Sequence, residues 1–288
     1  MTTPDAPDHI DAATASRLLQ TASTARDRVQ SEIDRHTEAR ITGWMAAAIF
    51  IYVLTLLSLF TAPEGAGSVE GVSGISYVNV LLFPFLAMTQ LVQGARDGLR
   101  VSVIGSFRGS KSVLFILGLV PFFVLMVLSV ASIEYPWWVG LLAAGAAAAP
   151  AAASAARSAR AAGARGVPQT RGGPLSAMAR NVTLGLGIAF GIAGATTPYS
   201  WFPVVVLGLM LGLVALLAGY TSRWGLPSIG SEWGQRQWVS FGVSFSLLFV
   251  LAVVTARTPW NGPAVAGIAA LLIATPLVAS AFASGRRR

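Results

Sequence analysis

Residues 41–60, ITGWMAAAIFIYVLTLLSLF, form a run of twenty residues without a charged side chain. An α-helix rises about 1.5 Å per residue, so about 20 apolar residues cross the ~30 Å hydrocarbon layer of a bilayer. The polar residues before this run lack the apolar core of a cleavable signal peptide. We therefore expect residues 41–60 to be a membrane-spanning helix that stays attached to the chain.

Seven more apolar runs follow, and none of the eight has Asp, Glu, Lys or Arg in its interior. They cover 76–93, 113–132, 137–154, 182–197, 201–219, 238–256 and 263–284. The fourth run is an Ala/Gly tract and the fifth is short and glycine-rich, so these two need a helix bundle in which small residues permit close packing. The fold class predicted is an all-α polytopic membrane helix bundle of about eight transmembrane helices.

The composition agrees with a membrane protein, because 54% of the 288 residues are hydrophobic and 11% are charged. Soluble proteins carry roughly 25% charged residues. A net charge of +8 raises nucleic acid as a partner, but the basic residues lie between the apolar runs and not along one face, which excludes that class. The chain has no cysteine, so it has no disulfide, thiol nucleophile or thiolate metal site.

Lys and Arg are distributed unequally between alternate connections. The segments 1–40, 94–112, 154–181, 220–237 and the tail Arg286, Arg287 and Arg288 hold 19 of them, and Arg257 is the only one in the other connections. The positive-inside rule then puts both termini in the cytoplasm of a bacterial plasma membrane. The basic loops are expected to touch anionic headgroups, at ~1 kcal/mol per basic residue.

Aromatic residues mark the opposite ends of the runs. Tyr and Trp are enriched where transmembrane helices meet the membrane–water interface. An outer aromatic belt is therefore predicted at Tyr77, Trp137, Trp138, Tyr199, Trp201 and Trp260.

A short motif occurs twice, as IGSFRGSK at 104–111 and IGSEWGQR at 229–236, with 125 residues between counterparts. The shared positions in the loop before an apolar run are Gly105, Ser106, Gly109 and Lys111 in the first copy and Gly230, Ser231, Gly234 and Arg236 in the second. A duplicated four-helix unit explains them. Because four is an even number, the two units would enter the membrane in the same orientation, as a parallel repeat.

The motif does not match a phosphate-binding loop. A P-loop has four residues between its glycines and a lysine directly after the second, whereas Gly105 and Gly109 have three between them and Ser110 precedes Lys111. A turn, a helix cap and a headgroup anchor are the preferred interpretation, with a loop that docks a cytoplasmic partner as the alternative.

The duplication defines four regions. Residues 1–40 are expected to be a cytoplasmic polar or amphipathic helix, and 157–180 an Arg/Gly-rich cytoplasmic linker. The first four-helix unit would occupy 41–156 and the second 181–288.

Few polar side chains lie within the runs. Asn79, Gln90 and Gln93 share a broad face of the second run, and Ser240 and Ser244 are four residues apart on the seventh. Hydrogen bonds between helices are one interpretation and a solute-lined cavity is the other.

Small residues and prolines add two expectations about the helices. The pairs Gly187/Gly191 and Gly208/Gly212 predict close packing of the fifth run on the sixth. Prolines Pro84, Pro121 and Pro276 lie inside runs and can free carbonyls to line a cavity.

No enzyme is predicted, because no nucleophile–base pair, paired acids or metal cluster is recognisable. The two histidines, His9 and His36, lie in or beside the N-terminal arm, and no Cys or intramembrane acid accompanies them. We predict no metal and no cofactor. The arm is expected either to be a solvated extension of the first span or to dock a cytoplasmic protein.

Two stretches carry a resemblance. ARDRVQSEIDRHTEARITGW at 25–44 and LVQGARDGLRVSVIGSFRGSKSVLF at 91–115 are similar to the first part of uncharacterised multi-pass plasma-membrane proteins of high-GC Gram-positive bacteria. Those proteins have a polar helix before the first span and a Gly/Arg-rich cytoplasmic turn between the second and third. The resemblance implies a membrane location and no activity.

Three classes of function are open to such a chain. The first is a transport-related, permease-like component for a neutral or amphipathic solute. The second is a membrane sensor or scaffold that binds a cytoplasmic partner through its arm and basic loops. The third, a membrane enzyme, is disfavoured for the reasons above.

Overall fold

The structure is a computed structural model of the chain. It describes residues 35–60, 74–98, 110–131, 133, 135–162, 174–219, 222, 224–260 and 262–283, together with 16, 20 and 21. The side chains of 74–80, 98, 110–112, 114 and 130 are not part of the description. The first motif copy up to Gly109, most of the N-terminal arm and the C-terminal arginines lie outside the described residues.

The described residues form helices and contain no β-strand. Eight of the helices have 17 to 26 residues and one has 7. They are α1 Arg35–Phe60, α2 Gly74–Gly98, α3 Ser110–Val130, α4 Trp137–Ala162, α5 Ala177–Thr196, α6 Phe202–Ala218, α7 Leu226–Glu232, α8 Gln235–Arg257 and α9 Pro263–Phe282.

Each of the eight apolar runs corresponds to one long helix, and the prediction of an all-helical chain is confirmed. Helix α4 extends further than its run, to Ala162, because alanine has the highest helix propensity. The linker predicted for 157–180 is therefore narrower in the structure, since its first residues belong to α4 and its last to α5. Prolines Pro84, Pro121, Pro150 and Pro276 lie inside helices.

Five helices in the described part of the chain are long and apolar enough to cross a membrane, namely α1, α4, α5, α8 and α9. Two further apolar helical stretches, Phe115–Ser129 and Phe202–Ala218, are shorter. These lengths suggest a membrane protein.

Side-chain contacts show which helix ends lie together. Arg40 Nη1 donates to Gln235 Oε1 at 3.3 Å, which joins the starts of α1 and α8. Gln237 Nε2 donates to the Ser280 carbonyl at 3.1 Å, which joins the start of α8 to the end of α9. Helices α2 and α4 also end here, and α1 begins and α9 ends on this side. We call this the basic end, with Arg40, Arg96, Arg160, Arg180 and Arg236.

The opposite side holds the exposed aromatic residues. Arg257 Nε donates to the Ser58 carbonyl at 2.8 Å, which joins the ends of α8 and α1. Trp137 and Trp260 are 77% and 70% exposed at this end. Trp138, Tyr199 and Trp201 are exposed here too, so five of the six predicted belt residues lie together, while the side chain of Tyr77 is not described.

The helices pack in a pattern that occurs twice. In the first helix set, α1–α4, the first helix packs most extensively on the fourth, and the third also packs on the fourth. In the second helix set, α5–α9, the corresponding pairs α5 with α9 and α8 with α9 make the most extensive contacts. The two sets meet where α1 and α2 contact α6, α7 and α8.

Small residues permit the closest helix pairs. Ala143, Ala144 and Ala147 of α4 are buried against α1 and α3. A Cβ added to Gly187 or Gly191 would lie 3.0 Å from Leu277 Cβ or Ala274 Cβ of α9. The expectation that the fourth and fifth runs pack closely through small residues is confirmed.

The partner predicted for the fifth run was wrong. Gly187 and Gly191 face α9 and not α6. Gly208 and Gly212 of α6 have no atom within 4 Å of an added Cβ, and both are exposed. Spacing alone identified the small-residue faces without identifying what they face.

Candidate functional site between the two helix sets

Nine aromatic rings form a continuous network where the two helix sets meet. Phe83 of α2 contacts Phe190 of α5 with ring centroids 5.6 Å apart, and Phe190 contacts Phe241 of α8 at 5.5 Å. On the other side, Tyr52 of α1 stacks on Phe85 at 4.3 Å. We call this the aromatic network; its members are Tyr52, Phe83, Phe85, Phe190, Trp233, Trp238, Phe241, Phe245 and Phe249.

The spacing of aromatic residues along α8 produces the network. Phe241, Phe245 and Phe249 are four residues apart, so they lie on one face of the helix. Their rings stack in sequence, with centroids 5.9 Å and 4.2 Å apart. Phe249 then reaches Tyr52 at 6.2 Å. The interior between the two sets is therefore lined by large apolar side chains.

Ser244 of α8 is buried and its hydroxyl has no partner. The residue is 0% exposed and Oγ makes no hydrogen bond. Other hydroxyls in the described helices donate to a carbonyl one turn earlier, as Thr183 does to Ala179 at 2.7 Å and Thr255 to Leu251 at 2.8 Å. The Ser244 hydroxyl makes no such local bond.

Gln90 carries the second unpaired polar atom. Its Oε1 is buried without a hydrogen-bond donor. Gln90 is two turns from Phe83 on the same face of α2, and Phe83 contacts Phe190. Gln90 and Ser244 thus lie on α2 and α8, two helices that both contact Phe190 of α5, through Phe83 and Phe241.

The other predicted cavity residues have different surroundings. Gln93 is half-buried and has a polar partner. Ser240 is half-buried, one turn before Ser244. The side chain of Asn79 lies outside the described residues. Among the four candidates whose side chains are described, Gln90 and Ser244 are the ones with a buried polar atom that lacks a partner.

Unpaired polar atoms in such an interior are costly to the fold. Leaving a buried donor or acceptor unsatisfied costs about 1–3 kcal/mol, and native proteins have few of them. Gln90 Oε1 offers an acceptor, and a serine hydroxyl can donate one hydrogen bond and accept others. Each of these two atoms could therefore form a hydrogen bond that the described residues do not supply.

The second motif copy joins helices at the basic end. Glu232 accepts hydrogen bonds from Ser176 N at 3.0 Å and Ser176 Oγ at 3.1 Å, and Ser176 Oγ caps α5 by accepting from Ala179 N. Trp233 Nε1 donates to Thr183 Oγ1 at 3.0 Å. The motif thus fixes the start of α5 to the segment that leads into α8.

The turn and cap of this copy differ from the expectation. Gly230 lies inside α7, and Ser231 Oγ donates to the Ser228 carbonyl within α7. The start of α8 is capped by Gln237, whose Oε1 accepts the Gly234 N–H at 3.1 Å. A capping box has two reciprocal hydrogen bonds between side chain and backbone. Gly234 has no side chain, so only the bond from its N–H to the Gln237 side chain forms.

The glycines of α2 and α7 allow two backbones to touch. A Cβ added to Gly230 would overlap the Leu91 carbonyl, and one added to Gly94 would overlap the Pro227 carbonyl. Gly230 and Gly94 therefore hold α7 against α2 at a distance that no other residue permits. Of the first copy only Ser110 and Lys111 are described, as part of α3, and Arg236 of the second is exposed.

A half-buried cation, Arg96, lies near these contacts at the basic end. Arg96 Nη2 donates to Thr42 Oγ1 at 3.2 Å. Burial lowers the pKa of the Arg96 guanidinium, and the negative charge of Glu38 opposes that shift. This hydrogen bond joins the first turns of α1 to the last turn of α2, outside the apolar run of α2.

Sequence reasoning missed the aromatic network and the contacts of Glu232 and Trp233. The four-residue spacing of phenylalanines in α8 was a usable signal, because it predicts a single aromatic face. The roles of Glu232 and Trp233 carry no such signal, since the counterparts in the first copy are Phe107 and Arg108.

Comparisons of the chain with protein-family models, curated proteins and solved structures found no match.

Proposed function

We propose that the protein is a multi-pass component of a bacterial plasma membrane, built from two parallel four-helix units with both termini in the cytoplasm. The recurring helix pairs of the two sets support the duplication. The basic end, at which α1 begins and α9 ends, supports the orientation, because Lys and Arg are enriched in cytoplasmic loops.

We further propose that its function is transport-related, in the manner of a permease for a neutral or amphipathic solute. The observation that carries this proposal is the pair of buried, unpaired polar atoms, Gln90 Oε1 on α2 of the first set and Ser244 Oγ on α8 of the second. A solute that supplies the missing hydrogen bonds removes a cost of about 1–3 kcal/mol per atom.

The surroundings define the class of solute. The eight apolar runs contain no Asp, Glu, Lys or Arg to neutralise a charged solute, and a buried charge without a partner is expensive. The rings of the aromatic network offer apolar and π surfaces to a flat or bulky apolar body. In transporters with internal repeats the substrate binds near the interface of the repeats.

Movement is required, because the network closes the interior in this conformation. Ser244 is fully buried, so it is reached from water only if α8 moves relative to the helices around it. The stacks between Phe245 and Phe249 and between Tyr52 and Phe85 are the contacts that would open.

Water access to Ser244 tests the proposal. The native chain has no cysteine, so Ser244→Cys and Gln90→Cys each place a single thiol. A charged, membrane-impermeant methanethiosulfonate reagent is added to the reconstituted protein. Leu277→Cys is the matched control, since Leu277 is also 0% exposed but packs within the second set.

We expect both site thiols to react while the Leu277→Cys thiol stays protected. If Ser244→Cys is folded and as unreactive as the control, no aqueous route reaches Ser244 and the transport proposal is wrong. The dense ring packing favours a second candidate in that case, a sensor or scaffold that binds a cytoplasmic protein. That binding would be lost when residues 1–38 are deleted.

A further inference from the structure

A groove lies between the first turns of α1 and the last turns of α4, at the basic end. Its volume is about 490 Å³, within the range of ~300–1,000 Å³ that is typical of ligand sites. The lining residues are His36, Ala39, Arg40, Ala155, Ala156 and Ala159. The groove is separate from the aromatic network and is not used by the proposed transport function.

The two helices that form the groove carry an excess of positive charge. Together α1 and α4 contain Arg35, Arg40, Arg157 and Arg160 and a single acid, Glu38. Four arginines and one glutamate give these helices a net charge of +3. Arg160 is one turn after Ala156 on the same face of α4, so it stands beside the groove.

The positive charge of Arg40 is not neutralised by Glu38 or by the two hydrogen-bond partners of Arg40. Glu38 is two residues from both His36 and Arg40, so it lies on the other side of α1, and its charge acts on Arg96 of α2. Arg40 donates to Gln235 Oε1 at 3.3 Å and to Thr37 Oγ1 at 3.5 Å, both neutral acceptors. An anion in the groove would meet a cation that these bonds do not neutralise.

The floor of the groove is apolar. Ala155, Ala156 and Ala159 present methyl groups next to the basic rim, and α4 continues from them as a long apolar helix. A free phosphate ion makes no use of such a floor, whereas a phospholipid places its glycerol and first methylenes there. The groove also lies at the end of apolar helices, the depth at which headgroups meet a membrane protein.

We propose that this groove binds the headgroup of an anionic phospholipid, with Arg40 on the phosphate and the alanines against the glycerol. The proposal requires the protein to be in a membrane and is independent of the solute site. Each basic residue near a membrane surface contributes ~1 kcal/mol, which corresponds to about a fivefold change in affinity.

Lipid binding to the full chain in detergent micelles tests the site. Native mass spectrometry gives the affinity for palmitoyl-oleoyl phosphatidylglycerol and, as the neutral reference, palmitoyl-oleoyl phosphatidylcholine. The variants are Arg40→Gln, which removes the charge, and Ala156→Trp, which fills the groove from an exposed position. Their matched controls are Arg180→Gln, an exposed arginine at the same end, and Ala161→Trp, an exposed alanine on another face of α4.

We expect phosphatidylglycerol to bind more tightly than phosphatidylcholine and each groove variant to weaken it at least fivefold, with both controls unchanged. Binding by Arg40→Gln and Ala156→Trp at the wild-type affinity would overturn the assignment. If Arg40→Gln fails to fold, Ala156→Trp alone decides. Full competition by millimolar inorganic phosphate would show a site for free anions and would also overturn it. The cysteine-access experiment on Ser244 has no bearing on either result, so the two proposals fail separately.

Discussion

The hydrogen bond between the Trp233 and Thr183 side chains allows a direct test of how much the second motif copy stabilises the fold. Trp233 Nε1 donates to Thr183 Oγ1 at 3.0 Å, and the two residues are 5% and 0% exposed. Substitution Thr183→Val keeps the shape of the side chain and removes the acceptor. The indole N–H is then left buried without a partner, which costs about 1–3 kcal/mol.

The other bond of Thr183 adds little to this loss. Its hydroxyl also donates to the Ala179 carbonyl at 2.7 Å, but that carbonyl still has its own place in the α5 hydrogen-bond ladder. A loss of ~2 kcal/mol corresponds to a fall in Tm of about 4–8 °C for a chain of this size. Thermal unfolding of the purified protein in detergent, followed by tryptophan fluorescence, measures the fall.

A matched substitution and a double mutant separate this bond from general effects. Thr275→Val removes an exposed hydroxyl that donates to the Leu271 carbonyl at 2.6 Å, and we expect a change within about 0.5 kcal/mol. In Thr183→Val/Trp233→Phe the unpaired N–H is absent, so the loss should be smaller than the sum of the single losses by about 0.5–2 kcal/mol. Equal Tm values for Thr183→Val and Thr275→Val, or strict additivity, would refute the reasoning.

Two further predictions concern the backbone contact and the unpaired hydroxyl. Gly230→Ala should lower the free energy of unfolding by about 1–3 kcal/mol or abolish folding, because the added Cβ overlaps the Leu91 carbonyl. Gly208→Ala places its Cβ in open space and should be neutral or stabilising by up to ~1 kcal/mol. Equal Tm values for these two variants would contradict the close approach of α7 to α2. Ser244→Ala should leave the Tm unchanged or raise it, because the lost hydroxyl has no partner. Ser280→Ala removes a buried hydrogen bond of 2.9 Å to the Leu277 carbonyl and should lower the free energy of unfolding by about 0.5–1.5 kcal/mol. A larger loss for Ser244→Ala than for Ser280→Ala would mean that Ser244 is bonded in the native state.

The positions of the long helices follow from the sequence, because each corresponds to one of the eight apolar runs without a charged residue in its interior. Residues 41–60 fall inside α1 and 263–284 correspond closely to α9. Helix partners do not follow in the same way. Gly187 and Gly208 both lie in GxxxG pairs, yet one packs on α9 and the other faces open space, since spacing defines a face and not its neighbour.

The candidate site was predictable in part. Gln90 and Ser244 were selected because they are polar residues in apolar runs, and their atoms are the ones that lack partners. Gln93 belongs to the same class but has a partner, and only the packed structure distinguishes these cases. Helix α7 was missed because a helix of 7 residues between two spans has too little apolar periodicity to be recognised.

The most direct test of the account is which side of the membrane carries the two motif copies. Single cysteines at Arg108 and Arg236 are labelled with an impermeant maleimide in intact cells and in inverted membrane vesicles. Two units inserted in the same orientation predict that both positions are labelled only in the inverted vesicles. Labelling of one position in cells and of the other in vesicles would show that the two helix sets are inverted relative to each other, and the parallel architecture with its solute site would be wrong.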